Sequence, residues 1–140
     1  MCILLLALFA LPMSPLDSFD QLRSEWAQDL HEKRVADSVA LYTPDAVFVQ
    51  RDGSRVEGTT AIRDLYQKVT STFDSTLSFS SERVDTCGNL AYDSGTYTET
   101  LITRATDKSM QMKGSYLTLY RKEKDTSWKI VEQDVDGGSG

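Results

Sequence analysis

A chain of 140 residues is long enough for one domain with a single modest core. Hydrophobic residues make up 40% and charged residues 26%, a balance that is typical of soluble globular proteins and excludes a disordered chain. The net charge is −6 and the Lys and Arg residues are scattered, which argues against nucleic acid as a partner.

The chain starts with an uncharged apolar run from Ile3 to Met13. A bilayer span needs about 20 such residues, so we expect no stable membrane span. The length suits the hydrophobic core of a secretory signal, although no Lys or Arg precedes it and no clean cleavage site follows it. Two interpretations stay open for residues 1–16: a signal segment of a secreted or periplasmic protein, or an apolar segment that packs on the domain or a partner of a cytoplasmic one.

Hydrophobic residues at helical spacing predict three helices. The first runs from about Ser18 to Lys33, because Ser18 and Gln21 have the form of a capping box. The second is short, includes Tyr42 and ends before Pro44. The third follows Gly58, and its apolar face consists of Ile62, Leu65, Tyr66, Val69 and Phe73.

Strands dominate the rest of the chain. Ala46 to Gln50 is rich in strand-forming residues and is followed by an Asp52-Gly53 turn, which predicts a hairpin. The hydrophobic period changes to two from Thr76 onward, and turn residues separate the strands that follow. We place these at Leu90 to Thr103, Ser109 to Lys122 and Trp128 to Val135. Helices followed by antiparallel strands predict an α+β domain.

Several segments together resemble nuclear transport factor 2-like proteins, in particular the small SnoaL-like and ketosteroid-isomerase-like bacterial domains of unassigned function. In the first half they are Trp26, the stretch Tyr42 to Phe48 and the stretch Gly58 to Ile62. In the second half they are Ala91 to Tyr97, Lys113 to Tyr116 and Trp128 to Val131.

The resemblance implies a cone: a strongly curved mixed or antiparallel sheet wrapped around three N-terminal helices, with a cavity between them. It also implies a homodimer through the outer sheet face. On this basis residues 17–136 form one domain and residues 137–140 a flexible tail. Gly95 and Gly114 lie inside predicted strands, where glycine often marks a bend or a close approach of another group.

Ketosteroid isomerases use a carboxylate base at the end of the first strand, and Gln50 stands at the matching position. An amide cannot accept a proton at neutral pH, so steroid-type isomerisation is not expected. Asp93 and Tyr97 share one strand phase, and Asp134 shares the phase of Ile130, so these three are the candidate catalytic residues. This assignment depends on strand phase, which one bulge would invert.

The candidate ligand-binding residues are mainly aromatic, as in many small-molecule pockets. They are Trp26, Tyr42, Phe48, Gln50, Tyr66 and Tyr116. We expect no metal and no cofactor, because His31 is the one histidine and there is no phosphate-binding glycine loop.

Three functions stay open. The first is the binding of a small apolar or aromatic molecule in the conical pocket of a homodimer. The second is an isomerase, cyclase or lyase that uses a pocket carboxylate and a tyrosine. The third is a protein-association module with a residual cavity. A carboxylate inside the pocket would favour the second over the first.

Overall fold

Three helices lie against one six-stranded sheet in this computed structural model, which describes residues 15–137 and the side chains from residue 19 onward. The helices are α1 (Pro15–His31), α2 (Val35–Val39) and α3 (Thr59–Thr72). The strands are β1 (Tyr42–Val49), β2 (Arg55–Glu57), β3 (Phe73–Cys87), β4 (Leu90–Thr103), β5 (Ser109–Lys122) and β6 (Trp128–Gly137). Residues 1–14 of the predicted leader (1–16) and residues 138–140 of the predicted tail (137–140) lie outside the described residues, so a signal segment and a flexible tail stay predictions. Pro15 and Leu16 belong to α1, and Gly137 belongs to β6.

The strand order is β2-β1-β6-β5-β4-β3. Strands β3 to β6 form an antiparallel meander, whereas β1 runs parallel to β6. The sheet is curved and does not close on itself. The predicted α+β class and the mixed, strongly curved sheet are therefore confirmed.

Several predicted element boundaries are wrong, among them the start of α1, the place of Tyr42 and the place of Phe73, which opens β3 instead of ending α3. Helix α1 begins at Pro15 rather than at Ser18, and proline suits a first helical position because its missing N–H would be unpaired there. Tyr42 opens strand β1 instead of ending the second helix, which stops at Val39. The reason is a partner that is distant in sequence: Tyr42 pairs with Ile130 of β6, and local hydrophobic spacing carries no information about that contact.

The core lies between the concave face of the sheet and helices α1 and α3. Phe19 of α1 stacks on Tyr120 of β5 with ring centroids 4.5 Å apart, and its edge meets Trp128 of β6 at 5.3 Å. Ile62 of α3 is completely buried. These contacts fix the start of α1 over one end of the sheet.

Glycines inside β4 and β5 let neighbouring backbone approach closely. A Cβ atom on Gly95 would lie 2.0 Å from the carbonyl oxygen of Ser80, and one on Gly114 would lie 1.8 Å from that of Asp136. The β3–β4 register also shifts between Ser81 and Arg83, opposite Gly95. Close approach with a nearby bulge is what the strand glycines predicted.

Within residues 15–137, no helix has both the length and the apolar character needed to cross a membrane.

Candidate functional site

A cavity of about 260 Å³ lies between the concave sheet face and helices α1 and α3. That is roughly the volume of nine water molecules in the liquid. Its apolar walls are Trp26, Leu30, Phe48, Leu65, Tyr66, Val69, Phe73, Leu77, Phe79, Tyr97, Leu101, Met112 and Val135. Its polar wall residues are Gln50, Arg51, Thr70, Ser75 and Glu99.

Glu99 is the carboxylate of this cavity, and strand alternation on β4 explains why. Asp93, Tyr97 and Leu101 are buried on the inner face of β4, and Glu99 occupies the same phase between the last two. The residue opposite Glu99 on β3 is Leu77, which also lines the cavity. A carboxylate therefore stands in a row of otherwise apolar side chains.

The surroundings of Glu99 favour its protonated form. Burial raises the pKa of Glu99, while a hydrogen bond from Ser75 and the charge of Arg51 act in the opposite direction. The Ser75 hydroxyl donates to Oε1 at 2.9 Å. None of the ion pairs among the described residues includes Glu99.

Arg51 stands at the rim of the cavity. It lines both the cavity and a shallow groove on the outer side of the sheet. Its guanidinium donates to the carbonyl oxygen of Lys113 at 3.0 Å and lies 5.4 Å from the centroid of the Tyr97 ring. Gln50, its neighbour, also lines both and donates to the hydroxyl of Ser54 at 2.9 Å.

Two buried tyrosines form a hydrogen-bonded layer at the back of the cavity. The hydroxyl of Tyr42 donates to Oε1 of Gln133 at 3.2 Å, and the Tyr42 and Tyr66 hydroxyls are 2.6 Å apart. Because Tyr42 gives its one proton to Gln133, Tyr66 donates to Tyr42. Tyr66 presents its ring to the cavity, whereas Tyr42 lies behind it and does not line the cavity.

Asp93, predicted to be catalytic, lies in the core and outside the cavity lining. Its carboxylate pairs with the guanidinium of Arg23 on α1 and accepts a hydrogen bond from Ser81 at 2.6 Å. The hydroxyl of Tyr116 is 3.1–3.2 Å from both carboxylate oxygens. With a cation and two hydroxyls already around it, Asp93 connects α1 to the sheet.

Tyr116, predicted to bind ligand, is fully committed to this buried network. It is 3% exposed, its ring makes a T-shaped contact with that of Phe79 with centroids 5.1 Å apart, and it does not line the cavity. Its hydroxyl is used by Asp93.

Asp134, the third candidate catalytic residue, is on the outer side of the sheet. The β5–β6 register shifts by one residue, with Leu119 opposite Glu132 and Tyr120 opposite Ile130, so Asp134 does not share the inward phase of Ile130. It lies opposite Leu117, which is exposed. Partial burial and the neighbouring carboxylate of Glu132 raise the pKa of Asp134.

The structure places five of the predicted site residues in the cavity wall: Trp26, Phe48, Gln50, Tyr66 and Tyr97. It adds four polar residues that the sequence analysis did not select, namely Arg51, Thr70, Ser75 and Glu99. Glu99 could have been found, because it lies two positions after Tyr97 in the same strand phase. Ser75 and Arg51 have no comparable signal. Among residues 15–137, no three His, Cys, Asp or Glu side chains are arranged to hold a metal ion.

The family model described as SnoaL-like domain matches residues 24–133. No curated protein matches the sequence significantly.

Solved structures show the same fold at low sequence identity. A ketosteroid isomerase-like protein from Erwinia carotovora atroseptica is 18% identical with a TM-score of 0.78, covering 91% of this chain and 98% of that one. A nuclear transport factor 2-like superfamily protein from Salmonella enterica is 17% identical with a TM-score of 0.78, covering 89% and 91%. A protein of unknown function from Mycobacterium tuberculosis is 17% identical with a TM-score of 0.80, covering 89% and 77%.

Proposed function

Given that the chain belongs to the SnoaL-like domain family, we propose that it binds a small apolar or aromatic molecule in the cavity between its sheet and its helices. The observation that carries this proposal is the lining of the cavity. Six aromatic side chains surround it: Trp26, Phe48, Tyr66, Phe73, Phe79 and Tyr97. The few polar groups among them would orient a ligand, as in other small-molecule sites.

The energetics favour an apolar ligand body. Moving apolar surface out of water stabilises a complex by about 25 cal/mol per Å². The cavity can supply such contact through Leu65 and Val69 of α3 and through Phe73, the first residue of β3. The polar groups Gln50 and Arg51 at the rim would then meet whatever polar end the ligand carries.

Melting temperatures against a chemically broad panel of aromatic acids, amines, ketones and alcohols test the proposal. A ligand at one hundred times its dissociation constant stabilises the native state by about 2.7 kcal/mol. For a domain of this size we expect a shift of roughly 5–15 °C. Met112→Trp fills part of the cavity and should abolish the shift.

Met110→Trp is the matched control, because Met110 lies on the same strand but is 51% exposed and does not line the cavity. Its ligand-induced shift should equal that of the wild type. A panel that produces no saturable shift, or a shift that Met112→Trp leaves intact, contradicts the proposal.

Proton-transfer catalysis on such a molecule is the second candidate. The pocket carboxylate Glu99 favours it, whereas Gln50 stands at the position where ketosteroid isomerases have their carboxylate base. A carboxyl whose pKa is raised by burial suits an acid or base, and Tyr97 is a neighbouring hydroxyl in the same cavity. Asp93 and Asp134 are replaced by Glu99 in this role because neither lines the cavity. The test is to incubate each bound ketone with the wild-type protein in D₂O. If no ketone gains deuterium, proton-transfer catalysis is excluded.

We further propose that the protein acts as a homodimer through the outer face of its sheet. Leu117 and Leu119 of β5 point outward in the middle of this face, and each is 38% exposed. Apolar side chains in such a position favour burial against another surface.

The charges around these leucines fit a second copy of the same chain. Arg121 and Lys129 lie opposite each other at one end of the β5–β6 pair, and Asp134 and Asp136 lie toward the other end. A two-fold axis between the ends would bring the basic end of one copy onto the acidic end of the other, as an isologous interface requires.

A further inference from the structure

We propose that the ligand of the cavity is an organic cation whose ammonium group pairs with Glu99 between the aromatic walls. This inference rests on the proposed function and narrows its ligand class. It follows from three features of the cavity: a carboxylate without a counter-ion, aromatic rings on several sides of it, and a rim arginine that is already engaged.

The carboxylate of Glu99 lacks a partner for its charge. Its Oε1 accepts one hydrogen bond, from the neutral hydroxyl of Ser75. Its Oε2 accepts none from any residue that the structure describes, and the ion pairs within residues 19–137 leave Glu99 out. A half-buried charge without a counter-ion is unfavourable, so a cationic ligand would relieve a cost that a neutral one leaves in place.

The rings around the cavity favour a cation as well. Aromatic faces carry negative potential and attract ammonium groups within about 6 Å. Tyr66 and Tyr97 lie close to the charge of Glu99. Burial raises the pKa of each phenol, and the nearby carboxylate raises both pKa values further. Trp26 packs against Tyr66 at 6.0 Å and against Phe79 at 5.7 Å, which extends the same wall. A cation in the cavity would therefore be attracted by the carboxylate and by the aromatic rings at the same time.

Arg51 is the one positive group that lines the cavity, and it stands at the rim. Its guanidinium is held by the carbonyl of Lys113 and by the ring of Tyr97, and it is not ion-paired with Glu99. His31 is the other titratable group near Ser75, but its ring bonds to the Ser75 main-chain oxygen at 2.8 Å. Neither residue therefore takes the place of a counter-ion inside the cavity.

A pair of isosteric probes tests the charge alone. Phenyltrimethylammonium and tert-butylbenzene have the same shape, and the cation does not titrate. At pH 8 we expect the cation to bind roughly tenfold tighter by calorimetry or melting shift. Benzoate, an anion of similar size, should bind no better than the neutral probe.

Glu99→Gln keeps the shape of the side chain and removes its charge. We expect it to bring the cation to the affinity of the neutral probe while leaving the neutral probe unchanged. Glu57→Gln is the matched control, because Glu57 is exposed on β2 and outside the cavity. Its cation preference should equal that of the wild type.

The pH dependence gives an independent readout. Cation affinity should fall as the pH is lowered through the raised pKa of Glu99, and this fall should be absent in Glu99→Gln.

Equal binding of the two isosteres, or a cation preference that survives in Glu99→Gln, overturns this inference while the proposed function stands. Binding of neither probe overturns the inference, and a silent ligand panel would overturn the proposed function too.

Discussion

At the scale of single residues, two acidic side chains on one strand show how environment separates structural from functional roles. Asp93 and Glu99 both point to the inner face of β4. Asp93 is fully buried and surrounded by Arg23, Ser81 and Tyr116, so its charge is compensated. Glu99 has the Ser75 hydroxyl and the charge of Arg51, which is not ion-paired with it. The uncompensated carboxylate is therefore the one available to a ligand.

This difference predicts that Glu99 destabilises the ligand-free protein at neutral pH. Burial raises the pKa of Glu99 above its unfolded value, so its contribution to stability is present below the unfolded pKa and is lost as the pH rises through the folded one. We expect Glu99→Gln to raise the melting temperature at pH 8 by about 1–4 °C, and to raise it less at pH 4. Calorimetric melting at both pH values measures the effect.

Glu57→Gln removes the same charge from an exposed position and should change neither melting temperature. A Glu99→Gln variant that melts below the wild type at pH 8 would show that the charge of Glu99 is compensated by a group of the protein itself.

At the scale of elements, one buried ion pair joins α1 to the sheet beside their aromatic contacts. Arg23 is 6% exposed and pairs with two carboxylates, those of Asp93 in the core and Asp20 at the surface. These two pairs have the same chemistry and differ in burial. Comparing the loss of the buried Asp93 with the loss of the exposed Asp20 therefore measures how much burial adds to the strength of an Arg–Asp pair.

Asp93→Asn should destabilise the protein by about 3–5 kcal/mol, because it leaves the buried Arg23 without its core partner. Asp20→Asn should cost about 0–1 kcal/mol, since Asp20 is largely exposed and water replaces the contact. Urea denaturation of both variants measures the difference. Equal losses would mean that the Asp93 pair is no more important than a surface pair.

Element by element, the sequence predicts what depends on local pattern and misses what depends on distant partners. The alternating pattern predicts strands at Leu90 to Thr103 and at Ser109 to Lys122, and these are the bounds of β4 and β5 in the structure. The phase of Asp134 was wrong because a register shift between β5 and β6 inverts it, and nothing local marks that shift. Hydrophobic periodicity is enough to predict the cavity walls on α1, α3 and β4. It cannot predict Arg51, because this residue lies in the loop after β1.

At the scale of the whole molecule, the sheet offers two faces with different roles. The concave face holds the cavity, and the outer face presents Leu117 and Leu119 between charged ends of opposite sign. The proposed dimer would leave the aromatic walls of the cavity uncovered and would reach the cavity only at its rim, where Gln50 and Arg51 also line the outer groove. Ligand binding should therefore be compared between the dimer and the monomer.

Charge reversal tests the dimer. Arg121→Glu with Lys129→Glu should convert the protein to a monomer in sedimentation equilibrium, because acid then faces acid across the two-fold axis. Adding Asp134→Lys and Asp136→Lys to the same chain restores opposite signs and should restore the dimer. A wild-type protein that is monomeric at tens of micromolar, or a reversed pair that still dimerises, contradicts the proposal.

The parallel pairing of β1 with β6 has a consequence for how the chain acquires its structure. Tyr42 pairs with Ile130, and Val49 with Asp134, so β1 and β2 join the sheet only through the last strand. During synthesis, the hairpin of β1 and β2 cannot join the rest of the sheet until β6 (Trp128–Gly137) has been made. Such long-range closure slows folding. The β3–β4–β5 meander can pair in the meantime, and α1 can already pack on it, because Trp26 contacts Phe79 of β3 and Phe19 contacts Tyr120 of β5.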